Sequence, residues 1–359
     1  MAKEKTTSPV QDKPTSEQDR RERVDLVQKN IEKKFGKGSL ILMGAQALEN
    51  IPVISTGCLL IDKAIGVGGI PKGRISEIYG PEGSGKTTLC LQIVAQAQKA
   101  GGIVAYIDAE HSINPQYAKA LGVDIDKMYL SQPSSGEEGL DIVNELVKSA
   151  AVDLVIVDSV AALVPSTELY GEITDTTVGL HARMLQKGIH LMTGAINKTN
   201  TAVVFINQLR SNIQAGPAAY GGPKDVTTGG KALKYAAALR LEVRKGETIK
   251  AGDTIVGTKT YVKVVKNKFA PPFKTAVVDM IYGQGMSALA SLFDYGLEQG
   301  LITKSGSFFS FKGERLAQGR EKALEILGTR ADITDEIEKL FYDDLDSQTP
   351  SPSDQSDDE

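Results

Sequence analysis

The apolar positions of this chain fall into short runs separated by stretches of helical period. Ile75–Tyr79, Ile103–Ile107, Leu154–Val157 and Ala202–Ile206 are the runs. Each reads as a central strand buried on both faces of a sheet. Behind the first run, Leu89, Ile93 and Ala97 recur at helical spacing. Strand and helix patterns alternate from about Ile51, which predicts a largely parallel α/β sheet. Each run also ends in polar groups: a glycine loop from Gly80, then Asp108-Ala109-Glu110, Asp158-Ser159 and Asn207-Gln208. In open α/β sheets the ligand crevice lies at the carboxyl ends of the strands. The four ends therefore aim at one place.

The flanks read differently. Residues 1–22 are polar, lack a packing pattern and are expected to be disordered. Val24, Val27 and Ile31 form a helical stripe, stopped at Phe35-Gly36-Lys37-Gly38 and followed by a short strand at Leu40–Met43. This segment, 23–50, reads either as an arm docking on another subunit or as a piece packed on its own domain. After the four runs, Leu239–Arg244 alternates and predicts an antiparallel strand paired with Tyr261–Val265, with turn residues supplied by Gly246–Gly257. Residues 287–342 are mostly helical in pattern, with a short strand at Phe308–Phe311, and form a small C-terminal domain. An acidic tail, 343–359, closes the chain and is expected to be disordered.

The glycine loop is the most specific signal. Gly80, Pro81, Glu82, Gly83, Ser84, Gly85, Lys86, Thr87 and Thr88 carry the full P-loop spacing between a strand and a helix. Backbone N–H groups of such a loop turn inward around phosphate oxygens, and the helix start adds the favourable end of its dipole. Lys86 would reach the β/γ-phosphates of ATP, and the Thr87 hydroxyl would ligate Mg2+. Val155–Asp158 has the Walker B form, a strand ending in the carboxylate that holds the metal's water shell. Glu110 is a candidate base for the attacking water, against the plainer reading of a surface salt bridge or cap. Gln208 is placed to touch the γ-phosphate and pass its presence to the long loop behind it.

That loop, 209–227, and the shorter loop 165–177 have no clear period. Loops of such length inside a compact domain are uncommon and are either functional or disordered. Lying near Arg183 and Arg210, they could contact a phosphate backbone. Lys266 and Lys268 end a strand with two cations, either solvated or stabilising a phosphoryl transition state on a neighbouring subunit's nucleotide. Lys304, Lys312, Arg315, Arg320 and Lys322 outnumber the acids around them and could hold duplex DNA.

Charge sharpens one point. The net charge is −4, yet Asp343–Glu359 holds seven acidic residues and no basic one, so the body alone is +3. A mildly basic body with an acidic tail suggests a polyanion partner for which the tail competes; a merely solvated tail fits as well. Two cysteines, Cys58 and Cys90, fit a reducing compartment, with Cys90 a small buried thiol. The N-terminus lacks a signal-peptide pattern and no run approaches a membrane span, so a cytoplasmic protein without a membrane partner is expected.

The motifs GPEGSGKTT (80–88), IDAEH (107–111), VDSVAAL (157–163), FINQLR (205–210), TTGGKALKY (227–235) and VKVVKNK (262–268) together resemble the bacterial RecA recombinase family. Upstream, IEKKFGKGS and ISTGCLLID match as well, so the resemblance runs from about Val24 to Tyr342. It implies a RecA-type P-loop ATPase core (51–286) with a mostly parallel central sheet and helices on both faces. A small N-terminal helix-strand arm serving polymerisation and a small α+β C-terminal domain would flank it. The implied activity is DNA-dependent ATP hydrolysis by a helical homo-filament on single-stranded DNA. Homologous pairing and strand exchange with double-stranded DNA, and activation of LexA-type repressor self-cleavage in the SOS response, are implied too.

Residue by residue, the resemblance makes Lys86, Glu110, Gln208, Lys266 and Lys268 catalytic, the last two acting across a subunit interface. Thr87 and Asp158 would hold Mg2+, with Ser159 beside them in the ATP site. Tyr117 and Tyr282 would flank the adenine near Asn114. Gly171, Glu172, Val178, Arg183, Arg210, Ile213, Thr228, Gly229 and Gly230 would meet DNA, with Ile213 and Val178 wedged between base triplets. The departures are Gly83-Ser84 for Ser-Ser, Asn114 for Asp and Val178 for Met. The second loop is longer, with AGPAAYGGPKDV as its core. Alternatives on the same core are a ring-forming helicase-type motor and a non-catalytic DNA-binding filament that uses ATP only as an assembly switch.

Overall fold

The computed structural model describes residues 16–36, 39–40, 42, 51–172, 179–211 and 225–348, with the side chains of Arg210, Ser211, Asp225, Val226 and Asp346 left undescribed. They fall in two units, one N-terminal and one spanning Ile51–Thr349.

In the N-terminal unit a helix spans Glu17–Phe35. The Ser16 hydroxyl accepts from Asp19 N, and Gly36, at φ 99°, ends the helix. The helix thus begins inside the stretch 1–22 expected to be disordered: Ser16 is a good N-cap and Arg21 pairs with Glu17 one turn away. No residue of the helix is buried, and Val24, Leu26, Val27 and Phe35 are exposed. The strand expected at Leu40–Met43 lies mostly outside the described residues.

The larger unit is built on a ten-stranded sheet. Its strands are β1 (Ile75–Gly80), β2 (Val104–Asp108), β3 (Met128–Ser131), β4 (Leu154–Asp158), β5 (Ala202–Ser211), β6 (Asp225–Thr227), β7 (Leu239–Ala251), β8 (Thr254–Asn267), β9 (Thr275–Ile281) and β10 (Gly285–Met286). The order is β10-β9-β8-β7-β1-β5-β4-β2-β3, with β6 beside β5. From β7 to β3 every neighbour is parallel. The β7–β8, β8–β9, β9–β10 and β5–β6 pairs are antiparallel.

The expected pairing of Leu239–Arg244 with Tyr261–Val265 is present, but the hairpin is longer than the alternation suggested. The strands run through Gly246–Gly257 and turn only at Gly252-Asp253. β3 has no strong apolar signature, because as an edge strand it exposes Tyr129 and Leu130.

Helices cover both faces. On one, Leu89, Cys90, Ile93 and Ala97 of the helix Lys86–Lys99 pack with Ile78, Ile156 and Val204. On the other, helices Gly136–Lys148 and Leu180–Thr199 bring Leu140, Val143, Leu185 and Ile189 against Ile75, Val155, Val203 and Phe205. Alternate residues of each strand serve opposite faces, which is why the runs are nearly continuous in apolar residues, with Ser76 and Glu77 of β1 as buried polar exceptions.

The C-terminal part carries helices Ala288–Glu298, Arg320–Thr329 and Ala331–Gln348 around a three-stranded antiparallel sheet of Ile302–Ser305, Phe308–Phe311 and Glu314–Gln318. The last helix extends past residue 342, where a disordered tail was expected to begin. Ile333, Ile337 and Phe341 bury its inner stripe, and the Tyr295 hydroxyl donates to Asp344 at 2.6 Å, so the first acidic residues of the tail belong to the fold. Residues 349–359 lie outside the described part.

Candidate active site

The P-loop begins where β1 ends. A Cβ on Gly80 would lie 2.1 Å from the Val243 carbonyl oxygen, so only glycine lets β1 lie this close to β7. Gly85 opens the helix Lys86–Lys99 in a left-handed conformation, φ 97°, and a Cβ there would strike Met280. Lys86 folds over the loop, and its ammonium donates to the Pro81 carbonyl at 2.7 Å. Burial holds this ammonium below its ordinary pKa, against the pull of Asp158 and Glu110. The Ser84 hydroxyl is buried with no hydrogen-bond partner among the described residues.

β4 and β2 bring the carboxylates to the loop. Asp158 Oδ2 accepts from the Thr87 hydroxyl at 2.9 Å and from the Tyr106 hydroxyl at 2.7 Å. Burial raises the Asp158 pKa, and the two hydroxyls work against that rise. The Ala109 and Glu110 amides donate to the Asp158 carbonyl at 2.7 and 3.2 Å, which fixes the end of β2 against the end of β4. A cis peptide joins Asp158 to Ser159. Glu110 is exposed, and its Oε1 accepts from the Ser159 hydroxyl and, at 2.9 Å, from Gln208 Nε2. The ends of β1, β2 and β4 and the interior of β5, which runs on to Ser211 instead of ending at Asn207-Gln208, thus bring Lys86, Thr87, Glu110, Asp158, Ser159 and Gln208 into one connected cluster. An exposed carboxylate beside a caged lysine can take a proton from water next to a bound anion.

The other expected residues are placed less uniformly. Tyr117, in the helix Pro115–Ala120, shares a hydrogen bond of 2.9 Å with the Thr88 hydroxyl. Asn114 caps that helix, its side-chain oxygen accepting from the Gln116 and Tyr117 amides. Tyr282, half exposed, follows β9, whose Met280 lies against Gly85. Lys266 is not at the P-loop. Its ammonium donates to the Lys234 and Tyr235 carbonyls at 2.9 Å each. Burial, with Lys268 and Arg240 nearby, lowers its pKa. Lys268 is exposed one residue beyond β8.

Of the expected DNA contacts, Arg183 is exposed on the helix Leu180–Thr199, and Gly171 and Glu172 are also exposed. Thr228, Gly229 and Gly230 lead into the helix Ala232–Ala236, where a Cβ on Gly229 would lie 2.6 Å from Leu185. Arg210 lies on β5. Val178 and Ile213 lie outside the described residues.

Sequence reasoning missed three participants. Tyr106 was read as strand core, yet its hydroxyl anchors Asp158. Glu77, fully buried on β1, pairs with the buried Arg240 of β7, whose guanidinium lies 4.6 Å from the Tyr79 ring centre. Glu77 inside the apolar run ISEIYG and the cation Arg240 in the alternating strand LRLEVR were the available signal, since buried charges must pair.

A family model of the RecA N-terminal domain matches residues 22–287, and one of the RecA C-terminal domain matches residues 290–345. The chain is similar to Protein RecA of Mycobacteroides abscessus, 51% identical over 327 residues, covering 91% of this chain and 93% of that one. Protein RecA of Mycolicibacterium smegmatis gives the same identity and coverage. Protein RecA of Bifidobacterium breve is 50% identical over 337 residues, covering 92% of this chain and 85% of its own.

Proposed function

The chain belongs to the RecA family, a DNA-dependent ATPase and recombinase that binds DNA and forms filaments, and on that premise we propose how its residues do this. The observation that carries the proposal is the connected cluster of Lys86, Thr87, Asp158, Glu110 and Gln208 at the ends of β1, β4 and β2 and within β5.

ATP with Mg2+ fits this cluster. The buried Ser84 hydroxyl, without a partner among the described residues, and the glycine-rich loop opening the helix Lys86–Lys99 suit phosphate, and the adjoining Thr87 and Asp158 oxygens are the hard donors that Mg2+ takes. Bound there, ATP supplies the phosphoryl bond and Mg2+ neutralises its charge. Lys86 would exchange the Pro81 carbonyl for a phosphate oxygen. Glu110 would take the proton of the attacking water, held in place by Ser159. Gln208 would exchange Glu110 for the terminal phosphate, and so pass nucleotide state along β5 into the loop 209–227. Tyr117 and Tyr282 would flank the base. Asn114 would offer its amide hydrogens to a ring nitrogen, because its oxygen is already committed to the helix cap.

Lys266 and Lys268 would serve the neighbouring subunit's nucleotide, Lys266 first releasing two carbonyls. The exposed apolar stripe of the helix Glu17–Phe35 supports reading 23–50 as the polymerisation arm, and edge strand β3 offers an unpaired side for a second copy's strand. Residues 51–286 would form the ATPase core, and 287–348 the C-terminal domain. DNA would lie against loops 165–177 and 209–227. A LexA-type repressor would be a further partner in the cytoplasm. Among the described residues, no helix is long and apolar enough to cross a membrane.

The test is ATP turnover with and without single-stranded DNA across a salt series, alongside strand exchange between single-stranded DNA and a homologous duplex and imaging of filaments. Stimulation that weakens with salt, together with exchanged product, is expected. Turnover indifferent to DNA would overturn the assignment of the loops.

A further inference from the structure

Gln208 is not the only residue of β5 that reaches beyond its strand. Asn207 is fully buried and makes three hydrogen bonds. Its Nδ2 donates to Glu77 Oε1 at 2.9 Å and to the Thr228 carbonyl at 3.0 Å, and its Oδ1 accepts from the Gln208 amide at 2.9 Å. Thr228 directly follows β6, on which the chain returns from the second loop, while Gln208 directly precedes Leu209, the first residue of β5 to pair with β6. The backbone ladder of β5 with β6 already sets Leu209–Ser211 beside Asp225–Thr227, and this one buried amide adds a side-chain tie between Gln208 and Thr228, the residues that flank the ladder.

The amide has a rigid anchor. Glu77 and Arg240 are register partners on the adjacent strands β1 and β7, and Asn207 is the register partner of Tyr79. All four side chains share one face of the sheet, just below the P-loop. Glu77 accepts from Arg240 at Oε2 and from Asn207 at Oε1. Charged pairs buried this deeply rarely add net stability over apolar packing, so what the pair supplies here is position: it fixes the carboxylate to which Asn207 donates. Thr228 adds a second sign. Its hydroxyl is buried without a hydrogen-bond partner among the described residues, a polar group on the return side of the loop.

We infer that Asn207, anchored by the Glu77–Arg240 pair, is a positioning residue that couples the return of the second loop to Gln208, so that nucleotide state moves both ends of the loop together. This rests on the reading of Gln208 as the nucleotide sensor. It goes beyond that reading in placing half of the coupling on a buried residue that touches neither nucleotide nor DNA.

The experiment uses the full-length chain, ATP and a single-stranded oligonucleotide. Asn207→Asp keeps the shape and the acceptor for Gln208 but removes both donations and sets a second carboxylate beside Glu77. DNA-free turnover is expected to stay within about twofold of the parent, while DNA stimulation falls about tenfold, inside the 5–150-fold range of ordinary site coupling. The double variant Asn207→Asp with Glu77→Gln, in which the new amide can donate to the new carboxylate, should recover part of the stimulation.

A second readout uses the absence of tryptophan from the chain. Tyr235→Trp, just after the return of the loop, should change fluorescence on adding a slowly hydrolysed ATP analogue, and Asn207→Asp should abolish that change. Full stimulation and an intact fluorescence change in Asn207→Asp would overturn the inference, as would an equal loss of DNA-free and DNA-stimulated turnover. A parent chain without DNA stimulation would instead overturn the underlying functional reading. Should Asn207→Asp fail to fold, Asn207→Ser, which keeps a single small donor, carries the same comparison.

Discussion

Replacing Glu110 by Gln isolates the chemistry from the architecture. Glu110 Oε1 accepts from the Ser159 hydroxyl and from Gln208 Nε2, and a Gln side-chain oxygen can accept from both. The residue is exposed, so no buried charge is removed. Stability should therefore change by no more than about 0.5 kcal/mol. What the amide cannot do is take a proton. General-base catalysis is worth about 10²–10⁴-fold, which corresponds to a barrier higher by about 3–5 kcal/mol. DNA-stimulated phosphate release should fall by that factor, with nucleotide-dependent DNA binding preserved. Filaments should still be seen on single-stranded DNA. The assay is steady-state phosphate release with and without oligonucleotide, beside a thermal unfolding midpoint. Turnover within tenfold of the parent, with an unchanged midpoint, would remove Glu110 from the chemistry. A large fall in the midpoint would show that the carboxylate holds the strand ends together instead.

Other outcomes test the scaffold. Gly80→Ala forces a Cβ to 2.1 Å from a backbone oxygen of β7. Since neither strand can yield cheaply, it should cost about 1–3 kcal/mol in a denaturant titration, whereas Gly101→Ala, with open space around it, should cost only its backbone strain. Asp62 is fully buried, and burial raises its pKa to about 7 from 3.8, despite donations from Ser55 and Thr56. The folded chain therefore holds a proton there that the unfolded chain has released. This group's contribution to stability is complete below about pH 4 and lost as pH rises through about 7. Urea midpoints at pH 5 and 7.5 should differ less for Asp62→Asn than for the parent. Removing residues 349–359 takes away four acidic residues, and should tighten duplex DNA binding. Cutting at Asp343 also removes the Tyr295–Asp344 hydrogen bond and the end of the last helix, and should lower the unfolding midpoint as well.

Elements whose cause is local were legible from the residues alone. The P-loop is a strand, a turn and a helix in consecutive residues, so its spacing carried its geometry. Strands buried on both faces are nearly continuous in apolar residues, and β1, β2, β4 and β5 announced themselves in that way. Their polar ends located Glu110, Asp158 and Gln208. The edge strand β3 did not, because one open side lets it expose Tyr129 and Leu130. Nor did the end of the last helix past residue 342, whose acidic residues resemble a solvated tail until the Tyr295 hydroxyl is found bonded to Asp344. Strand order was beyond the reach of sequence altogether. That β7 lies beside β1, and β1 beside β5, is what makes Glu77 meet Arg240 and Asn207 across more than a hundred residues. The same placement set Lys266 against the Lys234 and Tyr235 carbonyls rather than at the P-loop. The sequence determined which groups stand at the strand ends, because each strand's burial is written in its own side chains. Only the tertiary structure decided which ends are neighbours, because that depends on how the whole sheet packs.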